Sequence, residues 1–461
     1  MNKYIGSWSF YKRTLLIAIP IMIQNLITNF VALIDNIMVG SIGTEQMSGV
    51  AIANQLFFVF NLAIFGAVSG AGIFCAQFFG KRDYDGVRNT FRFKFISAGI
   101  ITLMGCALFF AFGDELIRLY LHDADKGIDL EKTFVYSKEY LSIMLTGLVP
   151  FALEQVYSST LREGGIATPP MAAGIVAVIT NIVLNYFLIF GIGFFPKLGV
   201  EGAAIATVIS RYVQATIVII WTHSHKNTLP YVDGIYKTLR IPSNLAKKIF
   251  AKGLLPLTVN ECLWGASVAM LAQCYSVRGI DVVAGHNIAS TVINLFNVLF
   301  IAYGSGVSVV MGQLLGANDI EGAKKAAPKL IFFAGAMCVI VGGIMAMFSS
   351  VFPGFYNTSD DVKNLASAFI FISAVLMPVH SVLHSTYFIL RSGGKTGITF
   401  LFDCVYAWTV NVPVAFCLAH YTKLDIVTVY LCTQLAEGLK CTLGLYLIKK
   451  GVWISNIVNK I

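Results

Sequence analysis

Apolar runs about as long as a membrane is thick recur along the whole chain, and they constrain its fold more than any other feature. A helix needs roughly 20 consecutive apolar residues to cross the hydrocarbon core. Twelve such runs are present, at 14–37, 50–79, 93–113, 135–160, 170–194, 199–222, 251–277, 283–314, 327–351, 364–390, 396–420 and 424–448. Only 12% of the residues are charged, about half the share of a soluble globular protein. The sequence therefore predicts an all-α polytopic membrane protein with twelve transmembrane helices.

The basic residues are distributed unevenly between the two sides of these predicted spans. With the N-terminus inside, 23 of the 33 Lys and Arg residues fall in segments predicted to be cytoplasmic, whereas eight fall on the outer side. Because cytoplasmic loops carry an excess of Lys and Arg, both termini are predicted to be cytoplasmic, in a multi-pass protein of the plasma or inner membrane. The net charge of +9 thus reflects orientation in the lipid bilayer, and we predict no nucleic-acid partner.

The chain contains an internal duplication. Five residues recur 236 positions later: Pro20, Gly43, Gly49, Gln77 and Gly80 as Pro256, Gly279, Gly285, Gln313 and Gly316. The turn at 161–165 (Leu-Arg-x-Gly-Gly) recurs at 390–394, an offset of 229. A duplicated unit of six helices inserts twice in the same orientation, which predicts two six-helix lobes related by a pseudo-two-fold axis along the membrane normal.

The predicted lobes cover residues 1–222 and 251–461, and a cytoplasmic inter-lobe linker covers 223–250. One part of the long polar connection, SNLAKKIFAKG at 243–253, has the composition of an amphipathic helix that lies on the inner membrane surface.

A single carboxylate, Asp35, lies deep in the second half of the first predicted span. Hydrocarbon penalises an ionised carboxylate by at least about 2 kcal/mol, so such a residue usually faces a wet cavity or a partner. The alternative is a carboxylate near the helix end that extends to the interface. The position equivalent to Asp35 in the second repeat, at 35 + 236, is the apolar Leu271. This asymmetry favours a role specific to the N-terminal lobe.

Other predicted spans of the N-terminal lobe carry polar residues that suit a site around Asp35. Asn181 and Asn185 are four residues apart and share one face of a helix. Thr207 lies in the sixth span, one turn after Ala203. A carboxylate, two amides, a hydroxyl and a backbone carbonyl are oxygen ligands for a hard cation such as Na⁺, and they equally hold a protonated Asp35. An ordinary polar clamp between helices is the alternative.

The C-terminal lobe offers a second set of candidates for binding a cationic substrate or for coupling. Asn260 and Glu261 follow Pro256 closely, and Asp403 lies in the eleventh predicted span. The alternative for both carboxylates is an internal hydrogen bond to Asn260 or to a neighbouring tyrosine. Gln24, in the first span, belongs to the same group of candidates.

Four further residues that are charged at neutral pH lie well inside predicted spans. Glu437 and Lys440 are three residues apart on one helix, which predicts that they pair with each other. Arg211 and Glu154 receive no role from the sequence.

Motifs of enzymes are missing from the sequence. It contains no P-loop, no GxSxG, no HExxH and no Gly-rich dinucleotide turn after a strand. We therefore expect no enzymatic activity and no cofactor, and an ion gradient as the driving force of any uphill transport.

At the level of motifs, the chain resembles the multidrug and toxic compound extrusion (MATE) family. The run 35–43 (DNIMVGSIG) followed by Gly49-Val50-Ala51, the Gln77–Gly80 turn with its repeat Gln313–Gly316, and the paired LRxGG turns carry the resemblance, which covers essentially the whole chain. It implies two six-helix lobes around a V-shaped cleft and export of organic cations in exchange for Na⁺ or H⁺.

The resemblance also assigns residues. The family's N-lobe cation site maps onto Asp35, Asn181, Asn185, Ala203 and Thr207, with Asn185 standing where some members have a second Asp. Glu261 and Asp403 match only part of the family. We expect a monomeric secondary antiporter for amphipathic organic cations. A flippase for lipids or lipid-linked saccharides, which would want a basic cleft for pyrophosphate, is the alternative.

Overall fold

The computed structural model describes residues 4–121, 129–193 and 195–459. Residues 1–3, 122–128, 194 and 460–461 fall within the predicted lobes, and 194 ends the fifth predicted span; they lie outside the described residues. All regular structure within the described ranges is helical. The prediction of an all-α protein is confirmed.

Seven helices cover the first half of the described chain: α1 (Trp8–Gly40), α2 (Thr44–Lys81), α3 (Tyr84–Arg118), α4 (Leu130–Leu145), α5 (Leu148–Glu163), α6 (Thr168–Phe190) and α7 (Val200–Ser224). The second half contains α8 (Ser243–Ile249), α9 (Leu255–Ser276), α10 (Ile280–Gly316), α11 (Ile320–Met347), α12 (Val351–Gly354), α13 (Asp360–Ser392), α14 (Thr396–Phe400), α15 (Val412–Tyr421) and α16 (Ile426–Lys450).

Three π-helical segments interrupt the second half. Phe250–Leu254 joins α8 to α9, and Leu401–Val405 and Ala407–Asn411 lie between α14 and α15. The helix therefore runs from Ser243 to Ser276 without a break. The segment 243–253, predicted as a surface helix, is helical and continuous with α9, and its position on the inner membrane surface stays a prediction.

Ten helices of the described chain are long and apolar enough to cross a membrane. The pair α4 and α5, bent by 50°, adds an eleventh if it forms one span, and it covers the fourth predicted span. The break is at Thr146 and Gly147, where Arg211 Nη1 donates to the Gly147 carbonyl at 3.4 Å. The twelfth predicted span is α16, which carries Glu437 and Lys440 midway and lies outside that count.

The contacts divide the chain into two compact units. The C-terminal unit contains Met1–Met22, Ala76–Asp83 and Lys248–Ile461, and the N-terminal unit contains Ile23–Cys75 and Tyr84–Lys247. The start of α1 and the end of α2 thus pack with the second half of the sequence, whereas the predicted lobes follow the repeat. The change of unit within α1 comes just after Pro20, a residue that removes a helical hydrogen bond.

Equivalent glycines make equivalent contacts inside each unit. A methyl group added at Gly49 of α2 would lie 3.1 Å from the Thr133 carbonyl oxygen of α4. One added at Gly285 of α10 would lie 3.3 Å from the Val362 carbonyl oxygen of α13. The glycines are 236 residues apart and their partners 229 apart, which are the two offsets of the sequence repeat. The duplication is therefore also a duplication of packing.

The ends of α2 and α10 cross at very short distance within the C-terminal unit. A methyl group at Gly80 would lie 2.0 Å from the Gln313 carbonyl oxygen, and one at Gly316 would lie 1.9 Å from the Gln77 carbonyl oxygen. Only glycine allows two backbones to approach so closely. The repeated Gln-x-x-Gly motif is thus the crossing point of the two copies.

The C-terminal segment after α16 covers this crossing. Gln77 Nε2 donates to the Ser392 carbonyl at 2.9 Å, and its Oε1 accepts from the Ile457 backbone N–H at 2.9 Å. Asn456 Nδ2 donates to the Leu315 carbonyl at 2.8 Å. Trp453 is almost completely buried. The segment and the end of α13 together supply the hydrogen-bond partners of the buried Gln77 amide.

The predicted linker is a folded part of the N-terminal unit. Between α7 and α8, Leu229, Tyr231, Val232 and Ile235 are buried. Arg92 of α3 donates to the carbonyls of Ile235 and Gly234, each at 2.8 Å. The connection is therefore fixed to the helices by buried apolar side chains and by an arginine that binds its backbone.

We predict that Gly316→Ala lowers the free energy of unfolding by about 3 kcal/mol, because the new methyl group forces two backbones apart. Gly343→Ala is the matched control, since a methyl group there meets nothing within 4 Å. Thermal unfolding of the detergent-solubilised protein measures both. Equal melting temperatures for the two variants would contradict the close crossing.

Candidate functional site

Asp35 lies in the second half of α1, within the N-terminal unit, and accepts a short hydrogen bond. Asn185 of α6 donates from Nδ2 to Asp35 Oδ1 at 2.6 Å. Asn185 is 1% exposed and Asp35 is half-buried. A hydrogen bond to a carboxylate is stronger than one between neutral groups, and it costs less than leaving the charge unpaired. The Asn185 amide therefore supplies the hydrogen-bond partner that a carboxylate inside a membrane span needs.

The rest of the predicted N-lobe set is contiguous with this pair. Asn185 Nδ2 also lies 3.2 Å from Asn181 Oδ1, and Asn181 Nδ2 lies 3.3 Å from Thr207 Oγ1. Thr207 in turn donates to the Ala203 carbonyl at 2.9 Å. The five predicted residues thus form one chain of contacts across α1, α6 and α7.

The Asn181 amide fits better in the opposite orientation. Its nitrogen then lies 3.0 and 3.1 Å from the two carboxylate oxygens of Asp35, and its oxygen lies 3.3 Å from Thr207 Oγ1, whose one hydrogen can go either to it or to the Ala203 carbonyl. In that arrangement Asp35 accepts from both asparagines. The carboxylate is then held by amide donors on two successive turns of α6.

One buried acceptor in this cluster lacks a partner among the described residues. The side-chain oxygen of Asn185, Oδ1, is buried and accepts no hydrogen bond. An unpaired buried acceptor costs about 1–3 kcal/mol. A proton on Asp35 or a small cation would each supply what this oxygen lacks. Carboxylate, amide, hydroxyl and carbonyl oxygens are also the ligands that hard cations prefer.

Tyr140 of α4 is a neighbour that the sequence did not reveal. It is buried, hydrogen-bonds Thr207 and lies within electrostatic reach of Asp35 and Arg211. Nothing in the sequence shows that the fourth span turns this tyrosine toward the sixth. Its hydroxyl adds one more polar group to the wall of the site.

In the C-terminal unit, Asp403 is paired with a lysine. Lys440 Nζ of α16 donates to Asp403 Oδ1 at 2.6 Å, and Asn260 Nδ2 of α9 donates to Oδ2 at 3.1 Å. Asn260 also lies 3.3 Å from the Tyr387 hydroxyl. The predicted pairing of Lys440 with Glu437 is wrong, because the lysine reaches across to Asp403 on another helix. Asp403 thus has the Asn260 hydrogen bond that the sequence analysis gave as the alternative.

The backbone that carries Asp403 is unusual. Asp403 belongs to the π-helical segment Leu401–Val405, directly followed by a second one. A π-helical turn accommodates an extra residue and changes the direction of the following side chains. From this π-helical segment, the Asp403 side chain contacts both α9 and α16.

Glu261 and Gln24 have different surroundings. Glu261 is half-buried, within electrostatic reach of Arg391 and Asp403. Gln24 Oε1 accepts from Arg162 Nη2 at 2.7 Å, within the N-terminal unit. Gln24 therefore holds the arginine of the first LRxGG turn.

The two residues without a predicted role have structural partners. Glu154 is buried and accepts from Ser158 at 2.5 Å and from Gln155 at 2.9 Å. The Arg211 guanidinium lies 5.1 Å from the centre of the Phe151 ring and binds the backbone at the break between α4 and α5. Arg211 thus contacts the bent pair at its break, whereas the partners of Glu154 lie within α5.

A buried ion pair escaped the sequence analysis altogether. Lys94 Nζ donates to Glu163 Oε2 at 2.5 Å and to Ser159 and Thr160 at 3.0 and 3.2 Å. Its side chain is 0% exposed. In the sequence, Lys94 lies at the cytoplasmic end of the predicted span 93–113 and is one of the 23 basic residues predicted on that side. Glu163 is 69 residues further along the chain, and that separation does not predict that the two residues pair.

Among the described residues, no group of three or more His, Cys, Asp and Glu could hold a metal ion. The candidate site for a cation is instead the one-carboxylate cluster around Asp35.

Comparisons with known proteins give a consistent result. The family model described as MatE matches residues 20–187 and 256–417. The two matches begin 236 residues apart, which is the offset of the internal repeat. The chain is 26% identical over 450 residues to a probable multidrug resistance protein NorM of Thermotoga maritima, covering 96% of this chain and 93% of that protein. It is 24% identical over 434 residues to a probable multidrug resistance protein, YoeA, of Bacillus subtilis, covering 92% and 90%.

Solved structures show the same fold. A MATE protein in the bent conformation matches with a TM-score of 0.86 at 20% identity, covering 96% of this chain and 95% of that one. A mutant of the Vibrio cholerae MATE transporter VcmN matches with a TM-score of 0.87 at 15% identity, covering 97% and 98%. The predicted arrangement of twelve helices in two lobes agrees with this fold.

We predict that Asp403→Asn lowers the free energy of unfolding by about 3 kcal/mol, because Lys440 then keeps a buried charge without its counter-ion. The double variant Asp403→Leu/Lys440→Met removes both charges and should be closer to the parent protein in stability. Thermal unfolding in detergent compares the three proteins. A single variant as stable as the double one would contradict the pairing.

Proposed function

We propose that this chain, which belongs to the MatE family, is a secondary antiporter that exports amphipathic organic cations in exchange for Na⁺ or H⁺. Relatives named multidrug resistance proteins, matched over nine-tenths of their length, support export of small molecules. Many apolar helices make it a multi-pass membrane protein. We further propose a monomer in the plasma or inner membrane with both termini in the cytoplasm, from the distribution of Lys and Arg.

The observation that carries the proposal is the cluster around Asp35. It combines one carboxylate, two amides and one hydroxyl on three helices, and among the described residues Asp35 has amide partners where Asp403 has a lysine. A cluster that lacks one positive charge or one donor is suited to binding and releasing a cation.

Coupling follows from charge. With Asp35 ionised, the cluster accepts Na⁺ or H⁺, and loading neutralises the only carboxylate among the residues of the cluster. The loaded and empty states then favour different arrangements of α1, α6 and α7, because the hydrogen bonds of Asn181 and Asn185 must redistribute. An organic cation that binds the other arrangement better is exported as the ion enters, and no direct contact between the two is needed.

Two features of the site bear on the choice between Na⁺ and H⁺. A proton needs only Asp35 and one acceptor, which Asn185 supplies if its amide turns so that Oδ1 instead of Nδ2 faces the carboxyl. A sodium ion needs several oxygens together, and Thr207 Oγ1 and the amide oxygens of Asn181 and Asn185 are the candidates. The amide in place of a second carboxylate at 185 leaves the site with one negative charge, enough for one monovalent ion.

The alternative function, flipping of lipids or lipid-linked saccharides, is less well supported. It would need free basic groups for pyrophosphate within the spans. Arg211 is engaged by Gly147 and Phe151, and Lys440 by Asp403. Within the described spans these side chains already have partners. We also propose that the protein acts without a cofactor and is not an enzyme.

We predict that Asp35→Asn abolishes gradient-driven efflux while the protein stays folded, because the variant has no group that binds the coupling ion. The matched control is the exchange Asp35→Asn/Asn185→Asp, which returns one carboxylate to the same hydrogen-bonded pair. We expect partial recovery of efflux with the exchange. Efflux of a fluorescent organic cation from proteoliposomes measures both. Undiminished efflux by Asp35→Asn would overturn the mechanism.

We predict that Thr207→Val separates the two coupling ions, since it removes one oxygen ligand without changing the size of the side chain. If Na⁺ couples, the half-saturating Na⁺ concentration rises by roughly tenfold, the value of one hydrogen-bond-sized interaction. If H⁺ couples, the dependence of efflux on pH stays as in the parent protein. Inverted vesicles with Na⁺ and pH gradients imposed separately give both readings.

A further inference from the structure

A large groove opens in the C-terminal unit. It has a volume of about 1370 Å³, and its walls come from α11, α13 and α16. The lining is mainly apolar and includes Ile331, Phe332, Val339, Val382 and Leu445. Phe332 and Val339 are 48% and 60% exposed. No residue of the proposed ion site contributes to it.

The sequence explains why these helices leave space between them. Both α11 and α13 contain an internal proline, and Pro328 and Pro378 both line the groove. An internal proline removes a backbone hydrogen bond and bends its helix. Small residues of α11, such as Gly335 and Ala336, fill little of the space that results. The groove is therefore built by the helices themselves.

One end of the groove is basic. Lys324 lies in the second turn of α11, and Lys449 and Lys450 end α16. Lys324 lies 3.6 Å from Glu321, an exposed pair that contributes little to stability. Among the residues that line the groove there is no Asp or Glu. The rim thus carries an excess of positive charge.

Two aromatic residues accompany the lysines. Trp453, of the segment after α16, and Tyr4, before α1, also line the groove. Trp and Tyr are enriched at the level of lipid head groups, and Lys and Arg lie just beyond them. The lining of the groove thus combines apolar, aromatic and basic side chains, the three kinds of group that meet a lipid molecule between its acyl chains and its head group.

We infer that this groove binds an anionic phospholipid, with its acyl chains along α11 and α13 and its phosphate at Lys324, Lys449 and Lys450. Basic pockets between transmembrane helices recognise the head groups of anionic lipids such as cardiolipin. The leaflet is the one at the end that carries the C-terminal segment, which we propose to be cytoplasmic.

The charge of the rim separates this site from the proposed export path. The proposed cargo is cationic, and three lysines repel it. A soluble anion would bind the lysines but would gain nothing from the apolar walls of three helices. A zwitterionic lipid would fit the walls but not the rim. The anionic phospholipid is the ligand that matches both parts of the groove.

The inference is tested by lipid binding, with no transport measured. Native mass spectrometry of the full-length protein, titrated with cardiolipin or with phosphatidylcholine of the same acyl chains, should show tighter binding of cardiolipin. We expect Lys324→Gln/Lys449→Gln/Lys450→Gln to weaken cardiolipin binding by on the order of 100-fold, since each basic residue near an anionic lipid contributes about a factor of five.

The matched control removes three lysines elsewhere. Lys12→Gln/Lys237→Gln/Lys247→Gln changes the net charge equally, at exposed positions that do not line the groove. It should bind cardiolipin like the parent protein. Equal binding of the two lipids, or equal loss in both triple variants, would overturn the inference.

A second variant tests the apolar walls. Ala336→Trp fills the groove from an exposed position of α11, and Ile340→Trp places the same side chain one turn further, outside the groove. We expect Ala336→Trp to lower the number of cardiolipin molecules retained, with Ile340→Trp unchanged. Equal retention in both variants would contradict binding of acyl chains in the groove. Either failure leaves the proposed function untouched.

Discussion

The structure depends on one constraint, which is that hydrocarbon offers no partner to a polar group. Each buried charge and amide inside the helices must therefore find its partner within the protein. The solutions differ in kind. Lys94 pairs with Glu163, Lys440 pairs with Asp403, and Gln77 binds backbone groups at the end of α13 and in the C-terminal segment. Irregular backbone lies beside two partly buried charges. Asp403 belongs to a π-helical segment, and Arg211 donates to the Gly147 carbonyl at the break between α4 and α5.

Against this background the cluster around Asp35 stands out by its chemistry. The two ion pairs are balanced within themselves, each carboxylate facing a lysine. Asp35 faces only neutral donors, and the amide oxygen beside it lacks a partner among the described residues. In the second repeat the equivalent position is Leu271, which packs at the edge of an apolar cluster in the C-terminal unit. The helix packing of the first repeat thus recurs in the second, but the carboxylate of Asp35 does not. The proposed ion site is therefore confined to the N-terminal unit.

The duplication also accounts for the way the two copies are joined. The Gln-x-x-Gly motifs cross where glycine allows the backbones to touch, and the C-terminal segment closes over the crossing. The end of α2 therefore belongs to the C-terminal unit, although its sequence belongs to the first repeat. The same unit carries the groove of α11, α13 and α16, which we propose to bind a lipid.

The sequence by itself determined the helical fold, the duplication with its two offsets, and the set of residues around Asp35. These follow from hydrophobicity, from repetition and from spacing along one helix, all of which act within a short stretch of chain or between exact copies. Only the tertiary structure decided the partner of Lys440, the burial of Lys94 and the continuation of the linker into α9. A long side chain reaches several helices from one position, so its partner depends on which helices are neighbours and how each is rotated. Spacing along the chain does not contain that information.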